Sequence, residues 1–191
     1  MESRKRIGLA LCGSYCSYDK VFKAAEKLAD KYDLVPIMSE TAAATDSRFG
    51  AASQHIKRLE ELGGRPVICS IAEAEPLGPK EPLEALVIAP CTGNTLAKLS
   101  QGINDSAVTM AAKAHLRNGR PLLLAISTND GLSASAENIG RLLNRKNIYF
   151  VPFRQDDPAK KPRSLQSDFS LLEESLLAAL RGWQIQPIIK G

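Results

Sequence analysis

The chain has 191 residues, close to the usual length of one domain, and a chain of this size buries about 70% of the surface that it exposes when unfolded. Hydrophobic residues make up 44% and charged residues 24%, which excludes a disordered chain, a collagen-like repeat and a small disulfide scaffold. The net charge of +4 is typical of a solvated surface and identifies no partner on its own. We therefore expect one domain over residues 1–191.

Several classes of partner and site have no support in the sequence. The basic clusters at 4–6 and 160–163 are short and lack neighbouring aromatic residues, so we expect no nucleic-acid partner. No apolar run approaches the roughly 20 residues that span a bilayer, and the N-terminus is unlike a secretion signal, so we expect a cytoplasmic protein without membrane contact. The four cysteines form no CxxC pair and there are two histidines, which predicts reduced thiols and no metal site.

Short apolar runs alternate with segments of helical period through the first 150 residues. The runs predict six strands that are buried on both faces, at 7–12, 34–38, 66–71, 85–89, 122–126 and 148–151. The segments between them predict helices at about 18–31, 50–62, 94–100, 105–118 and 134–144. This alternation is typical of βαβ units with right-handed crossovers. We expect an α/β fold in three layers, with a doubly wound, mainly parallel sheet of about six strands.

The C-terminal region predicts a loop and a helix at about 154–183. Apolar residues recur there at helical spacing and predict one helix packed on the sheet: Leu165, Phe169, Leu172, Leu176, Leu180 and Trp183. The polar stretch 156–162 contains two prolines, so it predicts a surface loop before that helix.

Small polar residues follow four of the predicted strands. Ligands of open parallel sheets bind outside the carboxyl ends of the strands, so these residues predict a binding site. They are Gly13 and Ser14, then Ser39, Glu40 and Thr41, then 91–95, and finally 127–130. Hydroxyls, an amide and helix N-termini stabilise a negative charge, and a glycine permits close backbone approach. The set predicts a phosphate-bearing ligand, although any one of these hydroxyls alone is typical of a helix cap.

Other catalytic and nucleotide motifs are incomplete. Gly8 and Gly13 have the spacing of a P-loop, but Ser14 stands where its lysine is required, and no GxGxxG is present. Glu40 ends a predicted strand as the ribose-binding acid of dinucleotide folds does, so a nicotinamide oxidoreductase stays open. There is no GxSxG elbow, and His55 and His115 fall inside predicted helices. No catalytic residue is assigned.

Two segments resemble the FMN-binding, cysteine-decarboxylase-like flavoproteins. The stretch 90–99 (PCTGNTLAKL), continued by 102–105, resembles their PASANT segment, and 7–14 resembles their first strand and turn. The resemblance implies an FMN-binding homo-oligomer. It places Gly13, Ser14 and Ser39, with the neighbouring Glu40, at the FMN phosphate. It places Pro90, Thr92, Asn94 and Thr95 along the ribityl chain and ring, with Ser127 and Thr128 closing the pocket.

A narrower resemblance covers nearly the whole chain. The segments 45–50 (TDSRFG), 89–143 and 147–162 resemble the dipicolinate synthase B-subunit family. This implies a component of an oxidoreductase that forms dipicolinate from dihydrodipicolinate during sporulation, with a separate A subunit that binds NAD(P). Because the product is a dicarboxylate, Arg48 or Lys98 is the candidate to hold one carboxylate.

The chain departs from the decarboxylating flavoproteins at two places. Their active-site histidine has no counterpart in 76–83 (PLGPKEPL), and 127–133 (STNDGLS) replaces their PxMNxxMW-like clamp. We therefore do not expect decarboxylation. The missing histidine also leaves open a cofactor-free interaction subunit that stabilises or activates the A subunit.

Overall fold

A computed structural model describes residues 4–78 and 80–191 and contains one sheet of seven strands. Two predictions fall partly outside the described residues. Met1–Ser3 belong to the N-terminus that is unlike a secretion signal, and Pro79 belongs to the stretch 76–83 that has no histidine. The strands are β1 (Arg6–Leu11), β2 (Asp33–Met38), β3 (Ala85–Cys91), β4 (Leu122–Thr128), β5 (Ile148–Phe150), β6 (Phe153–Asp157) and β7 (Lys161–Ser167). The helices are α1 (Tyr18–Ala29), α2 (Glu40–Ala44), α3 (Ala52–Gly63), α4 (Ile71–Ala74), α5 (Gly93–Gln101), α6 (Ala107–Leu116), α7 (Ala134–Leu143) and α8 (Leu172–Leu180).

The sheet is parallel over most of its width. Its hydrogen-bonded order is β2-β1-β3-β4-β7-β6, and β5 also pairs with β4. The first four strands and β5 run parallel, whereas β7 pairs antiparallel with the end of β4 and β6 pairs antiparallel with β7. The expected three-layer, doubly wound α/β fold is confirmed, with seven strands in place of about six.

Each face of the sheet has its own hydrophobic core. Ile7, Leu9 and Leu11 of β1 pack on one face with α1 and α8, and Ala10 packs on the other with α5, α6 and α7. Burial on both faces explains why the parallel strands have continuous apolar sequences. Gly8 belongs to this packing, because a Cβ there would lie 2.7 Å from side-chain atoms of the α6-facing core.

The strand predicted at 66–71 is wrong. Only Ile68 pairs with the sheet, through an isolated parallel bridge to Ile37, and Ile71 already begins α4. Ser70 and Glu73 form a capping box, in which the Ser70 hydroxyl accepts from the Glu73 N–H and the Glu73 carboxylate accepts from the Ser70 N–H. This cap starts a helix and so ends the extended segment after one pairing.

The single C-terminal helix is also corrected. Leu165 lies in β7, and the helix that follows is only Leu172–Leu180. Asp168 separates the two, since its carboxylate caps a helical turn by accepting from the Ser170 N–H at 3.1 Å. Trp183 lies beyond the helix with 71% of its surface exposed. The predicted helix was therefore too long, because the apolar spacing included a residue of β7 together with residues of α8.

The predicted loop at 156–162 is the tip of a hairpin. Asp156 and Asp157 end β6, and Lys161 begins β7 after a short turn. The Lys160 N–H donates to the Asp157 carboxylate at 3.0 Å and closes this turn. Since neither strand is buried on both faces, their sequences carry no apolar run.

Candidate functional site

A cleft of about 520 Å³ lies where the carboxyl ends of β1, β3 and β4 meet, and the β6–β7 hairpin forms its far wall. This is the edge at which open parallel sheets bind ligands. Its wall is made by residues that follow the strands and by two further segments: Gly13, Ser14, Tyr15, Cys16, Phe49, Thr92, Gly93, Asn94, Ser127, Thr128, Asn129, Asp130, Asp156, Lys161, Ser164 and Gln166. Six of the ten predicted cofactor residues are among them.

Helix α5 begins at the cleft. Thr92 caps it, with its hydroxyl accepting from the Thr95 N–H at 3.3 Å, and Gly93 and Asn94 form the first turn on the cleft wall. The N-terminal end of a nine-residue helix carries partial positive charge, which favours an anion nearby. The helix terminus therefore contributes positive potential to the site, although the chain lacks the phosphate-binding lysine of a P-loop.

Gly93 allows α5 to approach the loop after β4. A Cβ on this residue would lie 2.6 Å from both Ser135 Oγ and Thr128 Oγ1 and 2.8 Å from Asp130 Oδ1. Those atoms already bind one another, because Thr128 and Ser135 both donate to Asp130 Oδ1. The glycine is thus required by close packing between two walls of the cleft.

Three serine hydroxyls join the β1 loop to β4. Ser127 Oγ lies 2.8 Å from Ser14 Oγ and 2.7 Å from Ser17 Oγ. Ser17 and Ser127 are buried, whereas Ser14 is partly exposed on the cleft wall. Buried hydroxyls that bond to one another form a rigid arrangement, so Ser14 is held in place by groups behind it.

Sequence reasoning missed the walls made by distant segments. Phe49 contributes an aromatic ring with 45% of its surface exposed, and the Arg48 guanidinium lies 4.9 Å from the ring centroid. On the hairpin, Lys161 Nζ and Asp156 Oδ2 are 2.6 Å apart. The ion pair with Asp156 raises the pKa of Lys161. Charged residues on both sides of a short turn at 158–160 are the pattern that could have suggested this hairpin.

Two predicted residues of the second strand's end lie away from the cleft wall and serve as caps. The Ser39 hydroxyl accepts from the Ala42 N–H at 3.3 Å and starts α2. Glu40 Oε1 accepts from the Ala107 N–H at 2.9 Å, at the beginning of α6. Since this carboxylate already holds a helix terminus, Glu40 is not placed as a ribose-binding acid.

Four more predicted residues are absent from the described wall. Pro90 and Thr95 are buried behind it, with Thr95 Oγ1 donating to Cys12 Sγ at 3.2 Å. Lys98 lies further along α5 and pairs with Asp105 at 2.8 Å. Arg48 is exposed beside Phe49, so its guanidinium is next to the cleft without lining it.

The buried cysteine and histidine side chains of the core are neutral. Burial raises the pKa of Cys12 to about 11, against a smaller lowering by the Thr95 hydroxyl, and burial also raises the pKa of Cys91. Neither thiol is an ionised nucleophile at neutral pH. Burial lowers the pKa of His115 to about 4, and its Nε2 lies 2.8 Å from the Pro121 carbonyl oxygen. Burial also lowers the pKa of His55.

All four cysteines are free thiols in the structure. Among residues 4–78 and 80–191 there is no group of three or more metal-ligating side chains. Over the same residues, no helix has the length and apolar character that crossing a membrane requires. The cleft therefore offers hydroxyls, three side-chain amides, the rings of Tyr15 and Phe49, the Cys16 thiol, the Asp130 carboxylate and one ion pair as its chemistry.

Known proteins match the chain over nearly its full length. Residues 1–168 match the model of the family described as Flavoprotein. The dipicolinate synthase B subunit of Bacillus subtilis (strain 168) is 47% identical over 186 residues, covering 97% of this chain and 93% of that protein. The crystal structure of the dipicolinate synthase B subunit from Bacillus halodurans C superposes with a TM-score of 0.90 at 43% identity, covering 99% of this chain and 97% of that one.

A more distant structure shares the fold alone. The FMN-dependent cysteine decarboxylase SpaF superposes with a TM-score of 0.67 at 21% identity, covering 93% of this chain and 98% of that one.

Proposed function

This chain belongs to the Flavoprotein family, in the group of the dipicolinate synthase B subunits, and from this premise we propose that it is the B subunit of a heteromeric dipicolinate synthase with FMN in its cleft. In this role it works with an A subunit that carries a nicotinamide cofactor, and the pair forms dipicolinate during sporulation. The observation that carries the proposal is the hydroxyl-lined cleft at the carboxyl ends of β1, β3 and β4, within a chain 47% identical to such a protein.

The donors of the cleft suit FMN. A cleft of about 520 Å³ lies within the range of roughly 300–1,000 Å³ typical of ligand pockets. Ser14 and Gly13 follow β1 and Ser127 lies at the end of β4, so hydroxyl and backbone donors converge where a phosphate would be held. The Asp130 carboxylate lies in the loop after β4, on the cleft wall next to Gly93. A carboxylate accepts hydrogen bonds and repels anions, so a ribityl hydroxyl is favoured there over a phosphate.

The remaining wall suits a flavin ring. Phe49 offers an aromatic face, and Asn94 offers an amide that both donates and accepts hydrogen bonds. When bound, FMN supplies two-electron redox chemistry. The contribution of the chain's own residues is to hold the phosphate at Ser14, the sugar hydroxyls between Thr92 and Asp130, and the ring between Asn94 and Phe49.

The substrate is proposed to lie at the open side of the cleft. Dihydrodipicolinate loses two electrons and two protons when its ring becomes aromatic, and the nicotinamide of the A subunit is the oxidant that takes up the electrons. Arg48 is the residue of this chain best placed to hold a substrate carboxylate, because it lies beside Phe49 and is bonded to no carboxylate among the described residues. Lys98 is a weaker candidate, since Asp105 already neutralises it.

A reconstituted assay tests the proposal. Dipicolinate formation is measured with the A subunit and its nicotinamide cofactor, with this chain present or absent, and with FMN present or removed. We expect formation that requires both the chain and FMN, and a rise in KM with Arg48→Gln. Formation that requires the chain but is equal without flavin indicates the cofactor-free interaction subunit. No stimulation by the chain in either condition contradicts the proposal as a whole.

A further inference from the structure

A second cavity, of about 890 Å³, lies beside the cleft on the other side of Gln166. We call it the α1 groove; it lies between α1, the β6–β7 hairpin and the start of α8. Its charged lining consists of Lys20, Lys23, Lys27, Arg154, Glu26, Asp30, Asp156, Asp168 and Glu173. Asp156 and Gln166 line both cavities. The proposed function makes no use of this groove.

Four of the five carboxylates of the groove are already bonded to cations outside its lining. Glu26 pairs with Arg58 at 3.0 Å, Asp156 with Lys161 at 2.6 Å and Asp168 with Lys190 at 2.6 Å, and Glu173 pairs with Lys31. The bond to Lys190 is the main reason why the pKa of Asp168 is lowered. Among the described residues, Asp30 is thus the one carboxylate of the lining without an ion pair.

The cations of the groove have no such partners. Lys20, Lys23 and Lys27 lie at spacings of three and four on α1, which places them on one face of that helix. Arg154 stands on β6, and none of the four is within 4.0 Å of a carboxylate in the part of the chain that the structure describes. Like charges on one helix face repel each other, so a bound anion would relieve that repulsion.

We propose that the α1 groove is a second binding site, which takes a small polyanion such as a dicarboxylate or a diphosphate. Its volume is within the range of ligand pockets, and four cations against one free carboxylate fit a ligand with two or more negative charges. Arg154 can bind a carboxylate or a phosphate with two parallel hydrogen bonds, and the lysines add point charges. The residues that form this site are present whatever ligand the cleft binds.

Lys20 connects the groove to the cleft. Its ammonium can only donate, and it donates to Gln166 Oε1 at 2.7 Å, so the Gln166 amide N–H is the group that donates to Ser17 Oγ at 3.2 Å. Ser17 can then donate to Ser127, and Ser127 to Ser14. The Ser14 hydroxyl hydrogen can then be donated to a ligand in the cleft, in place of its weak contact with Cys16 Sγ at 3.8 Å. Lys20 is thereby a positioning residue for the cleft, and a polyanion that binds Lys20 competes with that role.

Calorimetric titration of the full chain without flavin tests the groove directly. Sodium pyrophosphate and dipicolinate are the two probes, so that a diphosphate and a dicarboxylate are distinguished. The test variant is Lys23→Glu with Arg154→Glu. The matched control is Lys57→Glu with Lys113→Glu, which makes the same change in net charge at positions of α3 and α6 outside the groove.

We expect saturable binding of at least one probe, weakened about tenfold or more in the test variant and little changed in the control. Equal weakening in both variants, or no binding of either probe up to about 10 mM, would overturn the proposal and leave the groove a solvated charged surface. Binding of pyrophosphate alone identifies a phosphate ligand, and binding of dipicolinate alone identifies a dicarboxylate.

The role of Lys20 has its own test, which rests on FMN binding in the cleft. Lys20→Met removes the donor to Gln166 without touching the cleft, and Lys23→Met makes the same change one turn along α1. We expect the ratio of FMN to riboflavin affinity to fall about threefold or more in Lys20→Met and to be unchanged in Lys23→Met. An unchanged ratio in both variants contradicts the positioning role while leaving the groove titration intact.

Discussion

The cleft wall and the α1 groove lie on either side of Gln166 but are built on different physical terms. In the cleft, polar groups such as Ser14, Ser127 and Thr128 lie at or just after the ends of buried strands and bond to neighbouring polar groups, so their positions are fixed by the core. In the groove, the cations stand on long side chains of α1 and β6. The cleft is therefore suited to a ligand of one particular shape. The groove is suited to any small ligand that carries enough negative charge.

The difference predicts different sensitivity to substitution. Where two walls are in contact, one added methyl group changes ligand affinity because the packing is close. Where long charged side chains are exposed, a change of shape has little effect and a change of charge alters ligand affinity. We therefore expect the largest effects from atoms added between the two walls of the cleft and the smallest from the loss of an exposed ion pair.

Gly93→Ala should strongly weaken binding in the cleft. Its Cβ would lie 2.6 Å from Thr128 Oγ1 and Ser135 Oγ, so the walls must separate. We expect FMN affinity to fall about a hundredfold, as measured by quenching of flavin fluorescence. Gly140→Ala in α7 is the control, because nothing lies within 4 Å of a Cβ there and alanine favours a helix. Equal FMN affinity in the two variants would show that the two walls do not form the site.

The core at the amino end of β4 should lose stability in acid through His115. This side chain is buried with a pKa of about 4, below the usual value of 6.5, so the unfolded chain binds a proton in that interval and the folded chain does not. Stability conferred by the neutral ring is complete above about pH 6.5 and declines toward pH 4. From about pH 7.5 to pH 5 the loss is about 2 kcal/mol. Urea unfolding of wild type and His115→Gln measures it, and an identical pH dependence in both would contradict the assignment.

Ser14→Ala should weaken FMN but not riboflavin. The hydroxyl is proposed to donate to the phosphate, which riboflavin lacks, and loss of such a bond costs about tenfold in affinity. Ser39→Ala is the comparison, since the Ser39 hydroxyl caps α2 and does not line the cleft. Equal losses for the two flavins would mean that Ser14 does not contact the phosphate. A selective loss of FMN affinity in Ser39→Ala would mean that Ser39 contacts the phosphate, as the resemblance implied.

The hairpin should tolerate loss of its ion pair. Lys161 and Asp156 lie 2.6 Å apart beside an exposed turn, where solvent screens their attraction. Lys161→Ala is expected to leave the urea midpoint of unfolding unchanged. A clear fall in that midpoint would mean that the hairpin contributes to the stability of the sheet and not only to the cleft wall.

The sequence predicted the parts of the fold that burial determines. The parallel strands were identified because both of their faces are apolar, and Gly13, Ser14, Asn94 and Ser127 were selected because they follow such strands. The hairpin was missed because β7 begins with exposed, charged residues that resemble a loop. Apolar spacing also extended the final helix too far.

The predicted site residues that lie off the cleft wall show a second limit. Glu40 and Lys98 have side chains that suit a ligand, but each bonds to a group that only the folded chain brings near, the Ala107 N–H and Asp105. Phe49 reaches the cleft from the connection between α2 and α3. Local patterns identify which residues follow a strand, whereas the partner of a long side chain depends on tertiary structure.

Titration of the purified chain with FMN shows whether the cleft binds a flavin. Visible absorption and flavin fluorescence are recorded for wild type and for Asn94→Trp, which places a bulky ring on the cleft wall at the start of α5. We expect saturable binding of one FMN per chain in wild type and its loss in Asn94→Trp, with the far-ultraviolet circular dichroism of both proteins the same. No saturable binding in wild type, or equal affinity in the variant, would contradict the placement of FMN in this cleft.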